Sequence, residues 1–303
     1  MTEKSRNRLL VLLVIPTGIV IAAAGLLVFQ ELQPLPPIQP LPQPNGYDDL
    51  MQAAGMISTE SWDYKVLDEA QLREIVSVNA EALSLTRASL SNECRVPIQF
   101  SPPHSDEAHL SDLAGLKRLA QAFVAEGKFA EKQRRFGDAA GSYLDLVRLG
   151  NNSSRGGILI DALVGLAIEN IGAAGLQKII GQSDTRTCRE AAATLEALDA
   201  QRQSWTDILR QEQAWSRRAF PGIKYRLGEL VMASSSKKAY QAGERKFNGQ
   251  EKKTLQLTID LAARAYELEK GRRPASLTDL VPDYLKAVPR DPLTGKDMVY
   301  SPR

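Results

Sequence analysis

An uncharged run of 21 residues, Leu9 to Phe29, follows Lys4, Arg6 and Arg8 and precedes a tract holding Pro34, Pro36, Pro37, Pro40, Pro42 and Pro44. A helix rising about 1.5 Å per residue over that run spans the roughly 30 Å hydrocarbon core of a bilayer. Basic residues on its flank favour the cytoplasmic side. The expected layout is a cytoplasmic tail (1–8), a transmembrane helix (9–29) and a body outside the bacterial cytoplasmic (inner) membrane, with the lipid bilayer as partner of residues 9–29. A cleaved secretory signal is the alternative, with Leu9 to Ile21 as apolar core and Ala22-Ala23-Ala24 before Gly25. The uncut anchor is preferred because Leu26, Leu27, Val28 and Phe29 would leave an apolar terminus in water.

Residues 30–47 form a proline-rich linker. Polyproline II advances about 3.1 Å per residue, so Gln33 to Pro44 is expected to be a semi-rigid stalk of roughly 35 Å. The spacings Pro34-x-x-Pro37 and Pro37-x-x-Pro40 also fit aromatic-groove ligands, but a spacer is the reading adopted.

The body is 43% hydrophobic and only 6% aromatic across the chain, with abundant Ala and Leu, which favours a mainly α fold. Setting aside Lys4, Arg6, Arg8 and Glu3 from 38 basic and 36 acidic residues leaves 35 of each, so no nucleic-acid partner is expected. Cys94 and Cys188 are too few for a metal site. They form a disulfide only if their Cα atoms approach within about 7 Å; two free buried thiols are the other reading.

Helical periodicity organises residues 48–250 into an expected antiparallel helical-hairpin bundle. Asp68 with Gln71 is a capping-box start for one helix to about Leu90. A loop from Asn92 to Pro103 carries Cys94 and a β-like run, Val96 to Phe100. From Asp106 two helical stretches flank Arg135 to Ala140, and Ala122, Gly127, Ala140 and Tyr143 resemble one tetratricopeptide-type hairpin. After a turn at Asn151 to Ser154, Ile158 to Ile180 is apolar on nearly every face. It is read as the central buried helix because Asp161 and Glu169 interrupt it. Thr185 to Phe220 is expected to be one long helix ended by Pro221-Gly222, with a further break at Ser234-Ser235-Ser236. Lys252 to Lys270 is helical again, capped by Gly271.

Catalytic patterns are scarce. Asp161 and Glu169 are candidate paired carboxylates, with pairing to Arg155 or Lys178 as their structural role. His104 and His109 are five apart, not the i, i+4 that turns two imidazoles to one zinc. No phosphate loop or triad pattern occurs, and no metal or cofactor is expected. Trp205, Trp215 and Tyr225 are candidates either for packing or for lining a sugar or peptide site.

The segment 251–303 ends in Gly271-Arg272-Arg273-Pro274, a capping box at Ser276 to Asp279, then Pro282, Pro289, Asp291-Pro292 and Thr294-Gly295, with Met298-Val299-Tyr300 as a small strand. The expected unit is a helix-plus-hairpin module. From Leu261 to Tyr300 the pattern resembles type II secretion pseudopilins, and the whole layout resembles uncharacterised single-pass bacterial envelope proteins with a helical middle. Residues 4–14 lack the pseudopilin processing motif, so neither prepilin processing nor calcium binding is carried over. The resemblance implies an envelope location and a module fold. The functional expectation is a membrane-tethered extracytoplasmic scaffold with envelope protein partners and no catalytic activity inferred. The alternatives are an envelope enzyme using Asp161 and Glu169, or a pseudopilin-like secretion component.

Overall fold

Helices build the body throughout. The computed structural model describes residues 37–58, 66–98 and 105–300, together with Gly25, Pro34 and Leu35. The expected span 9–29 lies outside the described residues except for Gly25, as does His104. Among the described residues there are nine α-helices and no strand. They are α1 (Gly46–Met56), α2 (Glu69–Val78), α3 (Ala80–Ser89), α4 (Ser105–Lys132), α5 (Phe136–Ser153), α6 (Leu159–Ile179), α7 (Thr185–Asp199), α8 (Trp205–Ala219) and α9 (Ile223–Lys270). Leu50, Leu83, Leu116, Leu146, Leu176, Leu195 and Ile259 are buried in one core drawn from seven of these helices. Each such side chain contributes roughly 1.5–3 kcal/mol.

The Asp68 capping box forms, with Gln71 N donating to Asp68 Oδ1 at 2.8 Å and Asp68 N to Gln71 Oε1 at 2.9 Å. The helix expected to run on to Leu90 instead breaks at Asn79. That buried amide donates to Ile75 O (2.8 Å) and accepts from Ser58 N (2.9 Å), a bond to another segment that a continuous helix would forgo. Arg87 on α3 then pairs with Glu126 of α4 and Asp145 of α5 over the Phe123 ring, tying three helices together.

A turn at residues 133–135 joins α4 to α5, and Arg134 takes the left-handed conformation there (φ 58°). Tyr143 on α5 fits over glycines: a Cβ at Gly127 would lie 2.8 Å from its ring, and Gly175 of α6 faces the same ring. The expected turn at Asn151 begins later, because Asn151 to Ser153 complete α5.

The helix read as the central buried one of the bundle, α6, is only partly covered. Leu159–Gln182 is long and apolar enough to cross a membrane, and only half of its most apolar window is buried. Ile160, Leu163 and Ile171 are exposed on one side, while Gly165 and Gly172 press against α5 on the other.

Two further boundaries differ from expectation. The long helix of Thr185 to Phe220 divides into α7 and α8, because Ser204 accepts from Asp207 N (3.1 Å) and so caps a new helix at Trp205. Conversely, α9 runs straight through Ser234-Ser235-Ser236. Three serines cost a few tenths of a kcal/mol each in helix propensity, too little to break a helix that contains neither Gly nor Pro there.

At the end of α9, Gly271 adopts the left-handed cap (φ 68°) and donates to Glu267 O at 2.9 Å. The short helix expected at Ser276 is a 3₁₀ turn, Leu277–Leu280. The strand expected at Met298 to Tyr300 reduces to a single antiparallel bridge between Arg290 and Asp297, backed by Met298 N to Pro289 O at 2.9 Å. Arg189 of α7 grips Glu269 with two bonds of 2.7 and 2.8 Å, and its guanidinium lies 4.1 Å from the Tyr284 ring centre. Leu280, Leu285 and Met298 join the main core.

Candidate functional site

The start of α6 concentrates the chemistry. Asp161 stands in its first turn, and Oδ2 accepts from Ile158 N at 2.8 Å, which turns the carboxylate back over the helix end. Oδ1 then lies 3.0 Å from Nε2 of His109 on α4; the Asp161 side chain is fully buried. Glu212 of α8 accepts from Leu159 N at 2.8 Å. Both carboxylates suit the partial positive charge of a helix N-terminus. Asp112 lies one turn after His109. Burial pushes its carboxyl up, His109 opposes this and Asp161 adds to it. Burial raises Glu212 too, with Leu159 N opposing and Asp161 adding. The buried Tyr47 phenol is raised by desolvation and then by Asp112, Asp161 and Asp48.

A cavity of about 330 Å³ opens beside this group, bounded by Pro97 and Ile98, by His109, Leu110 and Asp112, by the start of α6 and by Trp215. A larger groove of about 640 Å³ adjoins it, lined by Pro37 to Leu41, the loop Arg95 to Ile98 and residues of α8. Pro97, Ile98 and Trp215 border both. Of the three aromatic candidates, Trp215 therefore lines the cavities and stacks edge-on against Phe220 (5.8 Å). Tyr225 is exposed and leans on Phe220 (5.1 Å). Trp205 is packing: it is buried against Phe247 at 5.7 Å.

Asp161 and Glu169 are not brought together as a pair. Glu169 forms a 2.7 Å ion pair with Arg202, and both side chains are under a tenth exposed. Burial pushes the Glu169 carboxyl up against the pull of Arg202. Arg202, which burial disfavours, is nonetheless held up by Glu169. The adjoining cavity is only about 20 Å³, room for about one water. The structural partners expected for these acids, Arg155 and Lys178, are engaged elsewhere. Arg155 donates to Asn151 and Gln201 (2.7 Å each), and Lys178 pairs with Glu131. Asp161 and Glu169 stand out in the sequence as acids in an apolar run; that His109 and Arg202 lie against them does not, because neither local pattern points at α6.

The Cys94–Cys188 disulfide is not formed; both thiols are free and buried. Cys94 sits against Gly46 at the start of α1, with Ser89 O and Asn92 O at 3.9 and 3.7 Å, whereas Cys188 is inside α7. Burial pushes each thiol up to about 11. Neither is expected to react with iodoacetamide at pH 8 in the folded chain, and both are expected to react after denaturation without reductant, read by mass spectrometry. Among the described residues no three His, Cys, Asp or Glu side chains are grouped to hold a metal.

No protein-family model, no curated protein and no solved structure matches this chain.

Proposed function

We propose that the chain is a membrane-tethered helical scaffold of the bacterial envelope, with its body outside the cytoplasmic membrane and an envelope protein held in the groove beside its tether. The observation that carries this reading is that the linker is a wall of the groove. Pro37 to Leu41 line it, Arg95 donates to Gln39, and Asn45 Nδ2 donates to Arg95 O at 2.9 Å. The stalk expected to be a spacer thus supplies one wall of a groove, and in this reading that groove is the interaction surface. Exposed Ile38 and Leu41 with Trp215 supply apolar contacts, and Gln203 and Gln211 supply polar ones, a mixture suited to an extended peptide segment. The antiparallel hairpin arrangement and the pseudopilin-like C-terminal module belong to the same reading, with a secretion assembly as the partner class.

Full-length protein in detergent is expected to retain an envelope partner that Trp215→Ala and Ile38→Asp variants, equally folded by circular dichroism, retain at least tenfold less. Equal retention by the groove variants, or none by the parent chain, contradicts it.

One observation favours a second reading, an envelope enzyme. A buried Asp161 with an oxygen 3.0 Å from His109 Nε2 at a cavity wall has the parts of a general base and a carboxylate beside it. In that case a hydrolytic activity of the purified chain is abolished by His109→Gln and unchanged by Glu190→Gln at an exposed position on α7.

A further inference from the structure

We infer that the 330 Å³ cavity between α4, α6 and Trp215 binds a small organic ammonium, with Asp112 as its charge partner and Trp215 as an aromatic wall. The inference goes beyond the tethered-scaffold reading and does not depend on it.

Size is the first argument. About 300–1,000 Å³ is the range of small-molecule sites, which are mostly apolar with a few convergent polar groups. Seven of the ten lining residues here are apolar, and the other three are His109, Asp112 and Asp161. Such a wall suits a carbon skeleton carrying one polar head, and would be wasted on a hydrated metal ion.

The sign of the charge is the second. Among the described residues, no Lys or Arg lines the cavity. Asp161 acts on Asp112, and Asp112, Asp161 and Asp48 act on the neighbouring Tyr47, so carboxylates crowd this end of the cavity. Oδ1 of Asp161 is buried and takes no aligned hydrogen bond. An anion would meet this array unfavourably; a cation relieves it. Asp161 already accepts from Ile158 N and has His109 Nε2 3.0 Å from its other oxygen, which leaves Asp112 as the carboxylate that gains most. The Trp215 ring adds a cation–π face of about 0.5–2 kcal/mol.

Titration calorimetry of the full-length chain in detergent, with n-butylammonium, n-butanol and butanoate as probes, tests this. Butylammonium is expected to bind at least tenfold more tightly than butanol, with butanoate showing no binding. Asp112→Asn should lose at least tenfold in butylammonium affinity while its Tm stays level or rises, because a carboxylate is removed from a crowded acidic group. Ile160→Lys at the cavity wall supplies a built-in ammonium and should abolish binding in a chain that still melts cooperatively. Butanol binding as tightly as butylammonium, undiminished binding by Asp112→Asn, or no binding of the amine by the parent chain overturns the inference. None of these outcomes bears on whether a protein partner occupies the neighbouring groove.

Discussion

Replacing Arg202 with Met is expected to destabilise the fold by about 3–5 kcal/mol, because it leaves Glu169 buried and charged with no partner. The double variant Glu169→Leu, Arg202→Met should recover part of that loss, since two apolar side chains carry no desolvation penalty while the half-buried Asp199 still loses Arg202. Urea unfolding of the two variants against the parent gives the comparison. The pH dependence has a definite sign. Burial already holds the folded Glu169 carboxyl above its unfolded value, and removing Arg202 raises it further. The folded state therefore binds the proton more tightly than the unfolded chain, and its charged form is the costly one. The penalty in the single variant is full above the folded value and shrinks as pH falls toward the ordinary carboxylate range. An Arg202→Met variant as stable as the parent at pH 8 would show that Glu169 does not depend on this pair.

The second large effect is expected at the crossing of α5 and α6. A Cβ on Gly165 would be driven into the carbonyl oxygen of Gly150, and one on Gly150 into that of Gly165. A flexible side chain can turn aside; a helix carbonyl held in its ladder cannot. Gly165→Ala should therefore cost about 1–3 kcal/mol through overpacking, and prise apart the helices that carry Asp145 and Asp161. Gly141→Ala on the same α5 is the control. Nothing lies within 4 Å of the added carbon, so the lower backbone freedom of Ala should stabilise by roughly 0.5–1 kcal/mol. Thermal melts of the two single variants, moving in opposite directions, check the account.

Local signals in the sequence were legible, and signals that depend on a distant segment were not. The capping box at Asp68 and the left-handed cap at Gly271 are satisfied by residues within a few positions, and both appear as read. Asn79 ends a helix because Ser58 needs its side-chain oxygen, and nothing between Asp68 and Leu90 announces that demand. Ser204 signals a helix start only once the chain is seen to bend after Asp199. The serine run at residues 234–236 suggests a break that does not form, since serine weakens a helix without stopping it. Asp161 and Glu169 stood out as acids in an apolar run, yet their separate partners, His109 and Arg202, come from α4 and from the α7–α8 turn. That Pro37 to Leu41 of the proline tract line a groove was not legible, because it depends on the position of Arg95.

The tethered topology is the claim on which the proposed function stands, and protease accessibility in spheroplasts tests it most directly. With an epitope at the C-terminus of the full-length chain, added protease should remove the epitope while a short fragment stays with the membrane, and a cytoplasmic marker should survive intact. An epitope protected until the membrane is permeabilised would place the body in the cytoplasm and contradict the account.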